Sequence, residues 1–194
     1  MGQRTVLQSS GRQIHKTECV TDRSIQLSIF LTDFGWFGLL GRDQKIAGLT
    51  IGHVSSDEVR EALWRKLRSE QRAEPPTECD WLPEVRVRLQ RYTQGASVDF
   101  TDCQVDLPPR TAFQRRVIVA TRTIDYGLTT TYGQLAEQVG VPRAARAVGS
   151  VMATNTVPII IPCHRVVAAG GKLGGFLAPQ GISLKERMLM MEAE

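Results

Sequence analysis

This sequence predicts an α+β protein in two halves, a small antiparallel sheet with helices packed on it followed by a helical half. Three observations carry the prediction. Apolar residues alternate over residues 24–32, and residues 35–40 and 45–51 also read as strands, three short runs suited to a small antiparallel sheet. Val59, Leu63, Trp64 and Leu67 recur instead at helical spacing. A stretch with Gly, Ser, Asp and two prolines, residues 94–110, then separates this part from a second half in which helical spacing prevails. The division falls at 1–106 and 107–194.

Taken in order, residues 1–20 are polar and mixed, a lead-in without a core of its own. The three strands form a meander, with Gly41, Arg42 and Asp43 at the second turn. Ser55 and Glu58 stand at the spacing of a capping box, so residues 56–69 should be an amphipathic helix on that sheet. Glu74-Pro75-Pro76-Thr77 is a break, and residues 81–92 read as another short helix. In the second half Thr111 caps a helix to about Arg122. Thr131 begins another, which Gly140 ends. Pro142 is expected in the first turn of the next, where its missing N–H costs nothing. Two short helices joined by Val139-Gly140-Val141-Pro142 form a helix-turn-helix pattern. Ser183 is expected to cap a last helix over 184–191.

Composition excludes some classes. No run of eighteen apolar residues exists, so no membrane-spanning helix is expected. The N-terminus lacks an apolar signal core, which points to the cell interior. Cys19, Cys79, Cys103 and Cys163 stand far apart, and in a reducing compartment all four are expected as free thiols. From Leu107 onward ten Lys and Arg stand against five Asp and Glu, so a surface for an acidic partner belongs to the second half.

The chemistry gathers at Pro158-Ile159-Ile160-Ile161-Pro162-Cys163-His164-Arg165-Val166-Val167. Three consecutive isoleucines are no solvated loop; their β-branching favours a short extended segment buried on both sides. Pro162 stops it and Cys163 follows, a thiol held at the floor of a pocket. Further upstream, Ala145, Ala147 and Gly149 surround Arg146. Small residues let a helix press close to a narrow surface, and the DNA minor groove is such a surface, with little base code. Arg143 suits a phosphate.

The run Pro-Cys-His-Arg-Val resembles the O6-alkylguanine-DNA alkyltransferase family, and the resemblance extends over roughly residues 111–192. It implies a ribonuclease H-like N-terminal α/β domain and a C-terminal winged-helix-like domain that binds DNA. It also implies that Cys163 takes the alkyl group from O6-alkylguanine, once per molecule, with O4-alkylthymine a second candidate substrate. His164 would take the cysteine proton through a water, oriented by Glu192 in the last helix. Asn155 would be the hinge before the cysteine segment. Arg146 would enter the base stack, and Tyr132 would help turn the 3′ phosphate and donate a proton to guanine N3. Pro158, Val166, Gly174, Gly175 and Phe176 would shape the base pocket, with Phe176 where many relatives carry tyrosine.

No cofactor is expected, because the alkyl carbon is already activated by its leaving group. His15 and Cys19 are two candidate metal ligands rather than four, so no metal is expected. The expected partner is double-stranded DNA met by a monomer, in the cytoplasm of a bacterium or archaeon or the nucleus of a eukaryote. The rival reading is a relative that binds or senses lesions without repairing them; the lesion-sensing relatives lack the cysteine that this chain has.

Overall fold

A computed structural model describes residues 24–67 and 75–194. The lead-in, His15, Cys19 and the expected end of the first helix at 68–69 lie outside the described residues. Strands β1 (Gln26–Thr32), β2 (Gly35–Arg42) and β3 (Lys45–His53) form the antiparallel meander. The β2–β3 turn lies at Asp43 and Gln44, both at positive φ (48° and 57°), two residues beyond the expected start of the turn. That is the primed two-residue hairpin, whose twist matches the strands it joins. A fourth strand, β4 (Thr77–Glu78), pairs in parallel with β1, giving the order β3-β2-β1-β4. Its two residues are too short to show alternation, and the prolines before them masked it.

Helix α1 (Ser56–Lys66) lies on one face of the sheet, packing Val59, Leu63 and Leu67 against Leu27 and Leu40. A Cβ at Gly38 would run into Val59 and Leu63, so glycine there is what lets α1 sit close. Ser55 accepts from Glu58 N as a cap, but the Glu58 carboxylate reaches Val54 N instead of closing the box. Helix α2 (Pro83–Thr93) packs its Val85, Leu89 and Tyr92 into the larger core, which also holds Phe30 and Phe37 from the sheet. That core continues through Val117, Leu135, Val148, Ile161 and Met188, so one apolar interior runs through both halves.

The second half contains α3 (Ala112–Arg122), α4 (Tyr132–Gln138), α5 (Ala145–Ala153) and α6 (Gly181–Glu192). Thr111 with Gln114, and Thr131 with Gln134, form complete capping boxes. Such caps contribute about 1 kcal/mol each. Parallel two-residue strands β5 (Thr130–Thr131) and β6 (Val166–Val167) tie the start of α4 to the end of the cysteine segment. Pro142 is not in a helix; Arg143 follows it at φ 71°, and α5 starts only at Ala145. The last helix starts at Gly181, and the Ser183 hydroxyl donates to Gln180 O inside it rather than capping it.

The isoleucine run is buried as expected, but it is a turn and not a strand. Ile159 has φ 69°, Ile160 N bonds Pro158 O, and Ile161 N bonds Val157 O. Burial followed from the residue types; the reversal is imposed by the hinge and core around them. The 94–110 stretch is pinned along β3, with Ile46 N to Gln104 O and Asp106 N to Ile46 O both 2.9 Å. Cys103 and Cys163 are free, but Cys79 is disulfide-bonded, against the expectation of four free thiols. A disulfide leaves no local signal in a sequence.

Candidate active site

Cys163 opens a single 3-10 turn, Cys163–Arg165, that follows Pro162. The turn points successive side chains in different directions. Cys163 faces a cleft of about 630 Å³ that is bordered by Tyr132, Ala145, Arg146, Gly149, Gly175 and Phe176, with Gly174 also on its wall. His164 turns the other way, into the interior, and is fully buried.

Asn155 fixes the sulfur. Its Nδ2 donates to Cys163 Sγ at 3.1 Å and to Ile161 O at 2.9 Å. Val157 N donates to its Oδ1 at 3.0 Å, and because a backbone N–H can only donate, the amide's orientation is determined. Burial pushes the Cys163 thiol pKa up. The Asn155 hydrogen bond and the charges of Lys185 and Lys66 work against that rise.

Behind the turn lies a buried polar network. His164 Nε2 is 2.8 Å from Glu192 Oε1. Arg165 clasps the same carboxylate from Nε (2.9 Å) and Nη2 (3.0 Å), and the Tyr92 hydroxyl donates to Oε1 at 2.7 Å. Gly127 N adds a longer bond at 3.3 Å. Burial alone would raise the Glu192 pKa, but the bonds from His164, Arg165 and Tyr92 prevail and bring it to about 2. Burial lowers the His164 pKa and outweighs the pull of Glu192, so the ring is neutral at pH 7. An ionised carboxylate only accepts, so the ring proton sits on Nε2. Nδ1 then carries the free lone pair, and it is the one buried atom of this network without a protein partner. This is the arrangement of a general base with its orienting acid.

The sequence reading missed two members of this network. Arg165 lies within the quoted motif but was given no role. Tyr92 belongs to α2, 72 residues from His164, and nothing local marks it. Burial and the neighbouring Glu192 both raise its phenol pKa, so it remains a donor.

The other expected site residues divide. Tyr132 is the first residue of α4, and a Cβ on Gly174 (φ 69°) would lie 2.8 Å from its hydroxyl, so the two touch across the cleft. Burial and the nearby Cys163 raise the Tyr132 pKa and keep it protonated. Arg146 and Ala147 are exposed on the first turn of α5, but Ala147 does not border the cleft. Arg143 is exposed in the turn before α5, away from the cleft. Val166 and Pro158 are buried and are not among the cleft's lining residues. The reason for Val166 is its place in β6, and its carbonyl accepts from the buried Lys185 Nζ at 2.7 Å. Pro158 lies at the start of the isoleucine turn, bridged to Ile161.

Comparison with known proteins agrees with this geometry. Residues 112–194 match the family model of the 6-O-methylguanine DNA methyltransferase, DNA binding domain. The chain is 38% identical over 157 residues to the methylated-DNA–protein-cysteine methyltransferase of Mycobacterium tuberculosis, covering 77% of this chain and 88% of that one. It is 42% identical over 125 residues to the protein of that name from Mycobacterium leprae, covering 61% and 72%. The crystal structure of Mycobacterium tuberculosis OGT in complex with DNA superposes with a TM-score of 0.70 at 32% identity, over 87% of this chain and 92% of that one. The cysteine turn, its buried histidine and glutamate, and this similarity along most of the length lead to one conclusion: the chain belongs to the methylated-DNA–protein-cysteine methyltransferase family.

Proposed function

We propose that this protein reverses alkylation damage in duplex DNA by moving the alkyl group of O6-alkylguanine onto Cys163. The observation that carries the reading is the position of the Cys163 sulfur, in the wall of the cleft beside Arg146 and Tyr132, with an amide donor on the sulfur and a neutral buried imidazole behind it.

The damaged nucleotide leaves the stack and enters the cleft, because the O6 substituent cannot be attacked within a paired duplex. Helix α5 lies along the minor groove through Ala145, Ala147 and Gly149, with Arg146 filling the space left in the stack and Arg143 on phosphate. His164 Nδ1 takes the thiol proton through a bridging water, and Glu192 stabilises the imidazolium that forms. The thiolate attacks the alkyl carbon in line. The S–C bond forms as the C–O6 bond breaks, and the electron pair of that bond goes to guanine. Tyr132 offers its hydroxyl proton to guanine N3 as the charge develops. Phe176 stacks on the base, and Gly174 and Gly175 leave room for it.

The product is a thioether. No group in the site is basic or nucleophilic enough to cleave it, so each molecule reacts once. Mixed with excess O6-methylguanine duplex, the protein should convert O6-methylguanine to guanine within the duplex in one burst equal to its own concentration, followed by no steady rate. Continued turnover after the burst would overturn this reading, as would the absence of any burst from folded protein.

A further inference from the structure

Lys66 is the last residue of α1, in the half of the chain that does not carry the cysteine motif. Its outer side is exposed, but Nζ turns inward and donates to Leu49 O at 2.6 Å and Thr156 O at 3.2 Å. Thr156 O also accepts from Leu49 N at 2.9 Å. One carbonyl beside the cysteine hinge thus takes two donors from the N-terminal sheet and helix.

That carbonyl belongs to the peptide unit between Thr156 and Val157. The N–H on the opposite edge of the same unit donates to Asn155 Oδ1. The other end of the Asn155 amide donates to Cys163 Sγ. A continuous polar chain therefore runs from the Lys66 ammonium, through one peptide and one side-chain amide, to the sulfur. A cation on the carbonyl oxygen makes the N–H across the peptide a stronger donor, and that bond in turn makes the asparagine NH₂ a stronger donor, because hydrogen bonds in series polarise one another.

We propose that Lys66 is a positioning residue for alkyl transfer: through the 156–157 peptide it aims and polarises the Asn155 amide at the Cys163 sulfur. This rests on the alkyl-transfer reading. A polarised donor favours the thiolate over the thiol. The positive charge of Lys66 acts in the same direction, joined by Lys185 on α6. The other titratable group facing the sulfur is the Tyr132 phenol on α4, His164 being turned to the interior with Glu192; those on the Lys66 side are His53 on β3, paired with Glu58, and Arg65 on α1. Water on the exposed side of Lys66 screens its charge, so the effect is moderate.

The test is the single-turnover rate of benzyl transfer from free O6-benzylguanine, which removes DNA binding from the comparison, measured from pH 6 to pH 10. Lys66→Met and Lys66→Gln should slow transfer at pH 7 by roughly threefold to tenfold, a size set by one polarised, partly screened contact. Burial brings the Lys66 pKa down to about 8, so the gap should narrow toward pH 10 both because the thiolate forms without help and because the wild-type ammonium has lost its charge. Lys66→Arg should restore most of the rate at pH 7. In an Asn155→Ala background Lys66→Met should cost almost nothing more. Neutral variants at wild-type rate overturn the proposal. So does a loss that is the same at every pH and persists in the Asn155→Ala background, which would make Lys66 a structural residue only. If the wild type itself leaves no benzyl group on Cys163, it is the alkyl-transfer reading that fails.

Discussion

Glu192→Gln is expected to slow alkyl transfer at pH 7 by at least roughly tenfold, near 1.4 kcal/mol of barrier, and also to weaken the fold. The carboxylate holds three side chains at once: the imidazole that accepts the thiol proton in the proposed mechanism, the Arg165 guanidinium and the Tyr92 hydroxyl. Glutamine keeps one acceptor oxygen but no charge. The imidazolium then forms without its counter-ion, and a buried guanidinium loses its partner. Breaking a buried pair by removing one member costs about 3–5 kcal/mol. Exposed pairs contribute at most about 1 kcal/mol, so this substitution should stand well apart from any surface Glu→Gln control. Part of the rate should return at pH 9, where more of the thiol ionises unaided; burial raises the Cys163 pKa, so the recovery is incomplete.

Stability should respond to pH in a defined direction. The folded pKa of Glu192 is depressed from 4.5 to about 2, so its contribution is complete above pH 4.5 and is lost as pH falls toward 2. Thermal unfolding followed across that window should show a steeper decline for the wild type than for Glu192→Gln. Parallel rate curves at wild-type speed would place Glu192 outside the proton path.

Arg146→Ala should reduce repair of a duplex by roughly a hundredfold, because unstacking and unpairing the target nucleotide costs a few kcal/mol that the inserted guanidinium offsets. Attack on free O6-benzylguanine should change little, since a free base has no stack to leave. The two substrates therefore separate a role in flipping from a role in the pocket. Arg146 is exposed on α5, so its replacement leaves no buried partner unpaired and the fold should hold. An equal loss on both substrates would mean that Arg146 shapes the cleft it borders.

What was legible in the sequence follows from how local each signal is. The stretch of β1, α1 and α3 each carry a period over many residues, β2 and β3 are runs of apolar and small residues bounded by turn residues, and Thr111 and Thr131 each mark a helix start with a glutamine three positions on. The two-residue strands β4, β5 and β6 carry no period at all and exist only through the partners they pair with. Pro142 was misplaced because proline suits a helical first turn as well as the loop before it. The site divides in the same way. Cys163, His164 and Arg165 are contiguous, so a rare pentapeptide exposed them together. Glu192 was found through its resemblance to a family pattern. Tyr92 and Lys66 come from helices of the other half, and only folding brings Tyr92 to the Glu192 network and Lys66 to the carbonyl beside the cysteine hinge; no spacing in the chain encodes either meeting.

The central claim is that Cys163 is the acceptor and that it accepts once. The most direct measurement is peptide mass mapping after incubation with an O6-methylguanine duplex. The account predicts that the peptide containing Cys163 gains the mass of one methyl group in exchange for the thiol proton, in every molecule. It predicts no gain on the peptides containing Cys79 or Cys103, and none anywhere in Cys163→Ser. A methyl group on another cysteine, or substrate methyl lost with Cys163 unmodified, would contradict it.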